Sequence, residues 1–151
     1  LGVCADAVAL GELATGGLLH DVGKRHISPL VLNKVSQLSD EECELIREHT
    51  TLGIRELSTQ AHLTWGQLMM IYQHHERCDG SGYPAGVLAD AIHPWAKICA
   101  VADVFDAMTC ERPYRSSRPI AEVCCYLQKY AGVWFDSEAV ACWVEYVRSV
   151  A

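Results

Sequence analysis

The sequence HHERCDGSGYP, residues 74–84, decides how the rest of the chain is interpreted. Its two adjacent histidines follow the apolar run LMMIY, residues 68–72, which predicts the buried end of a helix. The glycines and the proline after them predict a sharp turn out of that helix. Neighbouring helical side chains point about 100° apart, so both imidazoles reach one point only in a crowded interior. The pair alone is compatible with a metal site and with an ordinary hydrogen-bonded pair, part core and part surface.

The composition limits the classes of protein to which the chain can belong. Its 151 residues fit one domain, half of them are apolar, and no apolar run approaches a membrane span. The net charge of −7 argues against a general nucleic-acid binder, whose surface would be basic. The eight cysteines form no CxxC pair, so we expect reduced, small hydrophobic residues rather than zinc ligands. No targeting signal is visible in the sequence, and we expect a soluble, cytoplasmic segment of a longer protein that could itself be anchored to a membrane.

Helical periodicity dominates the chain, and no alternating run predicts a strand. Start and stop signals predict helices over about residues 6–20, from Ser28-Pro29, over 40–57, up to 74–75, over 95–110, from Pro119 to near Gly132, and after Asp136. The sequence therefore predicts an all-α domain without internal repeats or linkers.

Ligand-type side chains occupy positions in these helices that are hard to explain by structure alone. Asp21 follows His20 at the end of the first helix, where the negative end of the helix dipole disfavours a carboxylate without a cation. His49 lies on the predicted apolar stripe of the helix over 40–57, where a lone histidine is more often an ordinary core residue. Asp103 is the one acid in the apolar run over 98–105, where an ionised carboxylate is costly unless paired or bound to metal.

Together these residues form the inventory of a two-metal site in a helical bundle, with ligands projecting inward from facing helices. We expect six side chains on four helical segments to converge: His20, Asp21, His49, His74, His75 and Asp103. The remaining histidines have polar or turn-like surroundings, and we predict that none is a ligand: His26, His62 and His93.

The motifs of the chain, taken together, resemble the HD-GYP family of HD-domain phosphohydrolases. They are HDVGK (20–24), HHERCDGSGYP (74–84), ADVFDA (102–107), RPYR (112–115) and FD (135–136). The resemblance covers nearly the whole chain and implies an HD-domain helical bundle with a metal centre in its core. It also implies hydrolysis of cyclic di-GMP to linear pGpG or GMP, with two divalent metal ions, usually iron or manganese.

Carried over by position, the resemblance assigns a role to each motif residue. Asp21 would bridge the two metal ions. His49, His74 and His75 would complete one site, and His20 and Asp103 would hold the other. Lys24 would act with Asp21 in catalysis by contacting a phosphate. The substrate pocket would include Lys24, Gly82, Tyr83, Pro84, Asp106, Arg112 and Arg115.

The chain departs from the family in one respect. Members carry a further ligating histidine on a helix well before the HD pair, and no histidine precedes His20 here. We therefore expect residues 1–151 to form an HD-GYP-like domain without its first helices, with a weakened second metal site and little activity as an isolated segment. An upstream sensory or receiver domain and a dimer are expected of the parent protein.

Two alternatives remain open. A non-catalytic sensor would bind cyclic di-GMP without hydrolysing it, but such a protein should have lost metal ligands, and all six are present. An HD hydrolase for another nucleotide is disfavoured by the intact GYP sequence, residues 82–84.

Overall fold

The computed structural model describes residues 7–60, 62–111 and 116–150, and within these ranges the regular secondary structure is helical apart from two isolated β-bridges. The eight α-helices are α1 Ala7–Leu19, α2 Pro29–Leu32, α3 Asp40–Arg47, α4 His49–Leu57, α5 Trp65–Gln73, α6 Pro94–Thr109, α7 Ile120–Lys129 and α8 Ser137–Val150. Two short 3-10 turns cover Val22–His26 and Ala89–Ala91. The all-α prediction is confirmed. None of the described helices is long and apolar enough to cross a membrane.

The predicted helix starts are confirmed at several caps. Ser39 and Glu42 form a reciprocal capping box at the start of α3, in which each side chain binds a backbone N–H of the other residue. Pro29 begins α2, and Pro94 begins α6. Proline is tolerated there because the N–H of the first helical residue has no acceptor within the helix. The Asp136 carboxylate caps α8 by accepting hydrogen bonds from the backbone N–H groups of Glu138 and Ala139.

The single helix predicted over 40–57 is wrong, because the chain turns at Glu48 and forms α3 and α4 instead. Glu48 has φ −61° and ψ −16°, a right-handed conformation nearer to a 3-10 turn than to regular α-helix. Leu45, which we placed on the inward stripe, is 45% exposed. His49, the first residue of α4, is nevertheless completely buried.

The central element of the fold is α5, which packs against α1, α4 and α6. Gly16 allows α1 to approach α5 closely, because a Cβ atom there would lie 2.6 Å from the sulfur of Met70. On the far side of α6, helices α7 and α8 complete an apolar core whose fully buried side chains include Val123, Leu127 and Phe135. This arrangement brings the C-terminal ends of α1 and α5 to the same part of the molecule as the start of α4.

A second close approach joins the turn after Asp21 to α4. A Cβ atom on Gly23 would overlap the carbonyl oxygen of His49 and would lie 2.6 Å from the backbone nitrogen of Gly53. Only glycine fits this position without moving backbone. The contact therefore sets the position of the first predicted ligand pair relative to His49.

We predict that Gly23→Ala lowers the free energy of unfolding by about 1–3 kcal/mol, because the added methyl group forces two backbone segments apart. The matched control is Gly11→Ala on α1, where an added Cβ atom meets nothing within 4 Å. Gly11→Ala should raise the free energy of unfolding by up to about 1 kcal/mol, because alanine has the higher helix propensity. Denaturant titration followed by circular dichroism measures both, and equal stability of the two variants would contradict the proposed contact.

Candidate metal centre

The structure brings the six predicted ligand residues together at the centre of the helical bundle. Imidazole ring centres lie 4.9 Å apart for His20 and His74, 4.1 Å for His74 and His75, and 5.1 Å for His49 and His75. The carboxylate of Asp103 on α6 reaches the same cluster, with Oδ1 3.8 Å from His20 Nε2. The convergence that the sequence predicts is therefore present in the fold, while the role of each side chain as a ligand stays a prediction.

Three of the rings are oriented by backbone carbonyl groups from the preceding helical turn. The Nδ1 atom of His20 lies 2.6 Å from the Gly17 oxygen, and that of His49 lies 2.6 Å from the Ile46 oxygen. His74 Nδ1 lies 3.1 Å from the oxygens of residues 70 and 71. A carbonyl oxygen only accepts hydrogen bonds, so each Nδ1 carries the proton. In a neutral ring, Nε2 is then left with a lone pair directed into the cluster.

These lone pairs face one another and a carboxylate. His49 Nε2 and His74 Nε2 lie 3.2 Å apart, and Asp21 Oδ1 lies 3.3 Å and 3.8 Å from them. Asp21 Oδ1 and His20 Nε2 are buried without a hydrogen-bond partner among the residues that the structure describes. Acceptors placed this close repel one another unless a cation lies between them.

The donor set fits a metal ion. Asp21, His49, His74 and His75 each offer one ligand atom, and these atoms all lie within 4.8 Å of one another. Neutral imidazole and carboxylate suit divalent first-row transition metals. Metal-binding histidines are commonly oriented by a hydrogen bond from their other ring nitrogen, and here Nδ1 makes this bond to a backbone carbonyl. The cluster is therefore able to bind metal.

Burial keeps the histidines of this half of the site neutral. Burial, reinforced by the charges of neighbouring histidines, lowers the pKa of His74 to about 4. Burial also lowers the pKa of His49. For His75, burial is the main cause of a lowered pKa, and the nearby His74 is the second. The unprotonated imidazole is the form that binds a metal ion, so these rings need not release a proton at neutral pH.

The other half of the site concentrates negative charge. His20 Nε2 lies 3.4 Å from Asp21 Oδ2, and Lys24 donates a 2.5 Å hydrogen bond to the same oxygen. Burial lowers the pKa of His20, but the Asp103 and Asp21 carboxylates outweigh it and raise the pKa to about 10. Burial raises the pKa of Asp21, but His20 and Lys24 hold it well below its usual range. Two carboxylates here require positive charge, which side chains or a metal ion can supply.

The predicted substrate residues lie around this cluster where the structure describes them. The ring of Tyr83 stacks on that of His75, with ring centres 4.7 Å apart and an angle of 26° between the planes. The backbone N–H of Tyr83 donates a hydrogen bond to the backbone carbonyl of His75. Gly82 passes so close to the backbone of Glu76 and Arg77 that a Cβ atom would overlap it. The Tyr83-Pro84 peptide bond is cis.

Asp106 is exposed and lines a hollow of about 320 Å³ that also contacts His20 and Asp103. Arg112 and Arg115, predicted to bind substrate, lie outside the described residues. The three other histidines lie apart from the cluster's four-residue donor group. His26 binds Glu56 at 2.7 Å, and the ring of His93 accepts a hydrogen bond from the Trp95 N–H at the start of α6.

Sequence reasoning missed the role of Glu76, which is only 2% exposed. One of its carboxylate oxygens accepts hydrogen bonds from the backbone N–H groups of Ala85, at 2.7 Å, and Gly86, at 3.2 Å. The other accepts from the N–H of Val87 at 3.2 Å. Glu76 thus fastens the glycine-rich loop below His75. An acid placed directly between two histidines and a glycine-rich turn was the available signal.

Comparison with known proteins agrees with this geometry. The model of the family described as HD domain matches residues 5–139. The cyclic di-GMP phosphodiesterase response regulator RpfG of Xanthomonas campestris is 38% identical over 141 residues, which are 93% of this chain and 37% of that protein. The 3'3'-cGAMP-specific phosphodiesterase 1 of Vibrio cholerae is 41% identical over 110 residues, covering 71% of this chain and 25% of that protein. The chain thus spans well under half the length of these curated relatives.

A solved structure shares the fold. Bd1817, an HDG"Y"P protein from Bdellovibrio bacteriovorus, superposes with a TM-score of 0.76 at 25% identity, covering 95% of this chain and 45% of that one. The family match covers most of the chain, and the GYP loop contacts the histidine cluster. The chain therefore belongs to the HD domain family, and its identification with the HD-GYP group is confirmed.

Proposed function

We propose that this chain is a metal-dependent phosphodiesterase domain that hydrolyses cyclic di-GMP to linear pGpG or GMP. The observation that carries the proposal is the set of unprotonated Nε2 atoms that converge on Asp21 Oδ1 with no proton between them. Such a set binds a divalent cation, and the reaction class that relatives of this kind perform is phosphodiester hydrolysis. RpfG, which is similar over 93% of this chain, is named as a cyclic di-GMP phosphodiesterase.

We propose two divalent ions, iron or manganese, shared by the two oxygens of Asp21. Oδ1 faces His49 and His74, and these residues with His75 would hold the first ion. Oδ2 faces His20, which with Asp103 would hold the second ion. The opposite orientation of the two carboxylate oxygens supports a bridging role for Asp21. His20 would have to lose its second ring proton, and Lys24 would have to move away from Oδ2, before His20, Asp21 and Asp103 could hold that ion.

Divalent ions in such a site would lower the pKa of a water and offset the negative charge of a phosphodiester. The side chains of the chain supply the rest. The Lys24 ammonium is 37% exposed and lies beside Asp21, from where it can reach a phosphate oxygen and stabilise charge that develops during attack. Neutral His49 and His74, fixed by their Nδ1 hydrogen bonds, keep the donor geometry constant through the reaction.

The loop over 82–84 and Asp106 would contact the nucleoside parts of the substrate. Tyr83 lies against His75 and so forms one wall of the site, and Asp106 lines the hollow beside His20. Arg112 and Arg115 would add positive charge for a phosphate, a proposal that rests on their motif alone because they lie outside the described residues.

The domain is proposed to work in the cytoplasm within a longer protein, as a dimer and under an upstream sensory or receiver domain. We also propose that its first helices, with a further ligating histidine, are needed for full occupancy of the second metal site. The hollow between α1 and α6 supports this, since it opens onto His20 and Asp103 and has an apolar wall that includes Leu13 and Ile98.

A second candidate substrate is 3'3'-cGAMP. The chain is 41% identical over 110 residues to a Vibrio cholerae protein named as specific for that dinucleotide. A sensor without turnover is the alternative from another class. It is disfavoured because the cluster retains its donors in a geometry that fits a metal ion.

The first prediction concerns metal content. Residues 1–151 loaded with manganese or ferrous iron should bind one ion tightly and a second weakly. His74→Gln should weaken the tight site by more than about 100-fold, because even the outer partners of metal ligands contribute about 10–100-fold. His26→Ala is the matched control, since His26 pairs with Glu56 at the surface and should not change metal content. Calorimetric titration and elemental analysis measure both variants, and equal metal content would show that His74 is not a ligand.

The second prediction concerns turnover. Residues 1–151 should hydrolyse cyclic di-GMP slowly or not at all, because the second site has few ligands. The longer natural protein should hydrolyse it, and Asp21→Ala should abolish that activity by removing the donor shared by both ions. Chromatography of pGpG and GMP, with 3'3'-cGAMP as a parallel substrate, gives the readout. Fast hydrolysis by the short chain would make the further histidine dispensable, and binding without hydrolysis by the long one would identify a sensor.

A further inference from the structure

A hollow of about 280 Å³ adjoins the histidine cluster on the side of His75. The side chains of Arg47, Arg77, Tyr83 and Trp134 line it together with the ring of His75. Two of these side chains are cations, and none of the described lining residues carries a carboxylate. In a chain with a net charge of −7, a hollow with this excess of positive charge is suited to an anion.

Arg77 has no counter-ion within the parts of the chain that the structure describes. Its Nη1 atom is fully enclosed and makes no hydrogen bond, and its Cζ atom lies 4.9 Å from the centre of the Phe135 ring. A partly buried guanidinium group without a carboxylate in direct contact destabilises the fold, because the more distant Asp79 and Asp103 offset its lost hydration only in part. Proteins retain destabilising groups of this kind at positions where function requires the charge.

Arg47 supplies the second cation at the edge of the hollow. Its Cζ atom lies 5.3 Å from the centre of the Tyr83 ring, which in turn stacks on His75. Arg47 also pairs with Glu44, but both side chains are more than half exposed, so the pair is weak and exchangeable. Tyr83 therefore connects the cationic hollow to the metal cluster.

We propose that Arg77, assisted by Arg47, binds the phosphodiester of the cyclic dinucleotide that is not being cleaved. This inference rests on the proposed function. A cyclic dinucleotide carries two phosphodiesters in one ring, so when the first lies at the metal cluster the second must lie nearby. Binding of the second phosphodiester would supply the charge that Arg77 lacks, through the paired N–H contacts typical of arginine and phosphate. Arg77 is thus a specificity residue that favours a cyclic dinucleotide over a nucleotide with one phosphate.

The test compares Arg77→Met, Arg77→Lys and the control Arg148→Gln. Arg148 is an exposed cation on α8 and is not among the residues that line the hollow. Arg77→Met should weaken binding of cyclic di-GMP about tenfold or more, with a much smaller effect on GMP, which has one phosphate. Arg77→Lys keeps the charge but not the paired contacts, so its loss should be intermediate. Arg148→Gln should bind both as the unaltered chain does.

Thermal unfolding of the same variants separates binding from structure. Arg77→Met should leave the melting temperature unchanged or raise it, because it removes an unpaired buried charge. A lower melting temperature, unchanged binding, or equal losses for cyclic di-GMP and GMP would each overturn the inference, as would a lack of cyclic di-GMP binding by the unaltered chain. Calorimetric binding is measured separately from hydrolysis. Binding without turnover by the longer natural protein would therefore contradict the proposed function and would still test Arg77.

Discussion

The site depends on one repeated interaction, the hydrogen bond from a histidine Nδ1 to a backbone carbonyl of the turn before it. His20, His49 and His74 each make this bond at a helix end or start. The bond fixes which ring nitrogen carries the proton and where the other points. Helix geometry thereby directs three Nε2 atoms from separate chain positions at one point. Those of His49 and His74 offer lone pairs, that of His20 carries a proton, and the carboxylate of Asp21 lies between them. A fold that accepts this repulsion is stable when a cation balances it.

The scaffold holds these bonds in place through close backbone contacts. The turn containing Gly23 lies directly on α4, so Asp21 cannot move away from His49 without separating two backbones. Glu76 plays the corresponding part on the other side, because its buried carboxylate binds the loop that carries Tyr83 against His75. Both contacts involve positions with little tolerance for change. The apolar core of α6, α7 and α8 adjoins this region through α6, which carries both Val101 of the core and Asp103, and its buried apolar surface stabilises the fold.

Sequence patterns predicted the helices and the six ligand-type residues because both leave local signals. Caps such as Ser39 with Glu42 depend on near neighbours, and Asp103 stands out as one acid in an apolar run. The turn at Glu48 left no such signal, since its residues are all compatible with helix. The unpaired state of Arg77 and the buried carboxylate of Glu76 depend on which distant groups surround them. Periodicity carries no information about those surroundings.

The central claim is that His49 and His74 are neutral, protonated at Nδ1, with Nε2 free to bind metal. Long-range proton–nitrogen NMR spectra of the imidazole rings test it most directly, because the two nitrogens have different chemical shifts in each tautomer. The account predicts the Nδ1–H form for both rings at neutral pH, and a change confined mainly to Nε2 when zinc is added as a diamagnetic metal. A proton on Nε2 of either ring, or spectra unaffected by zinc, would contradict it.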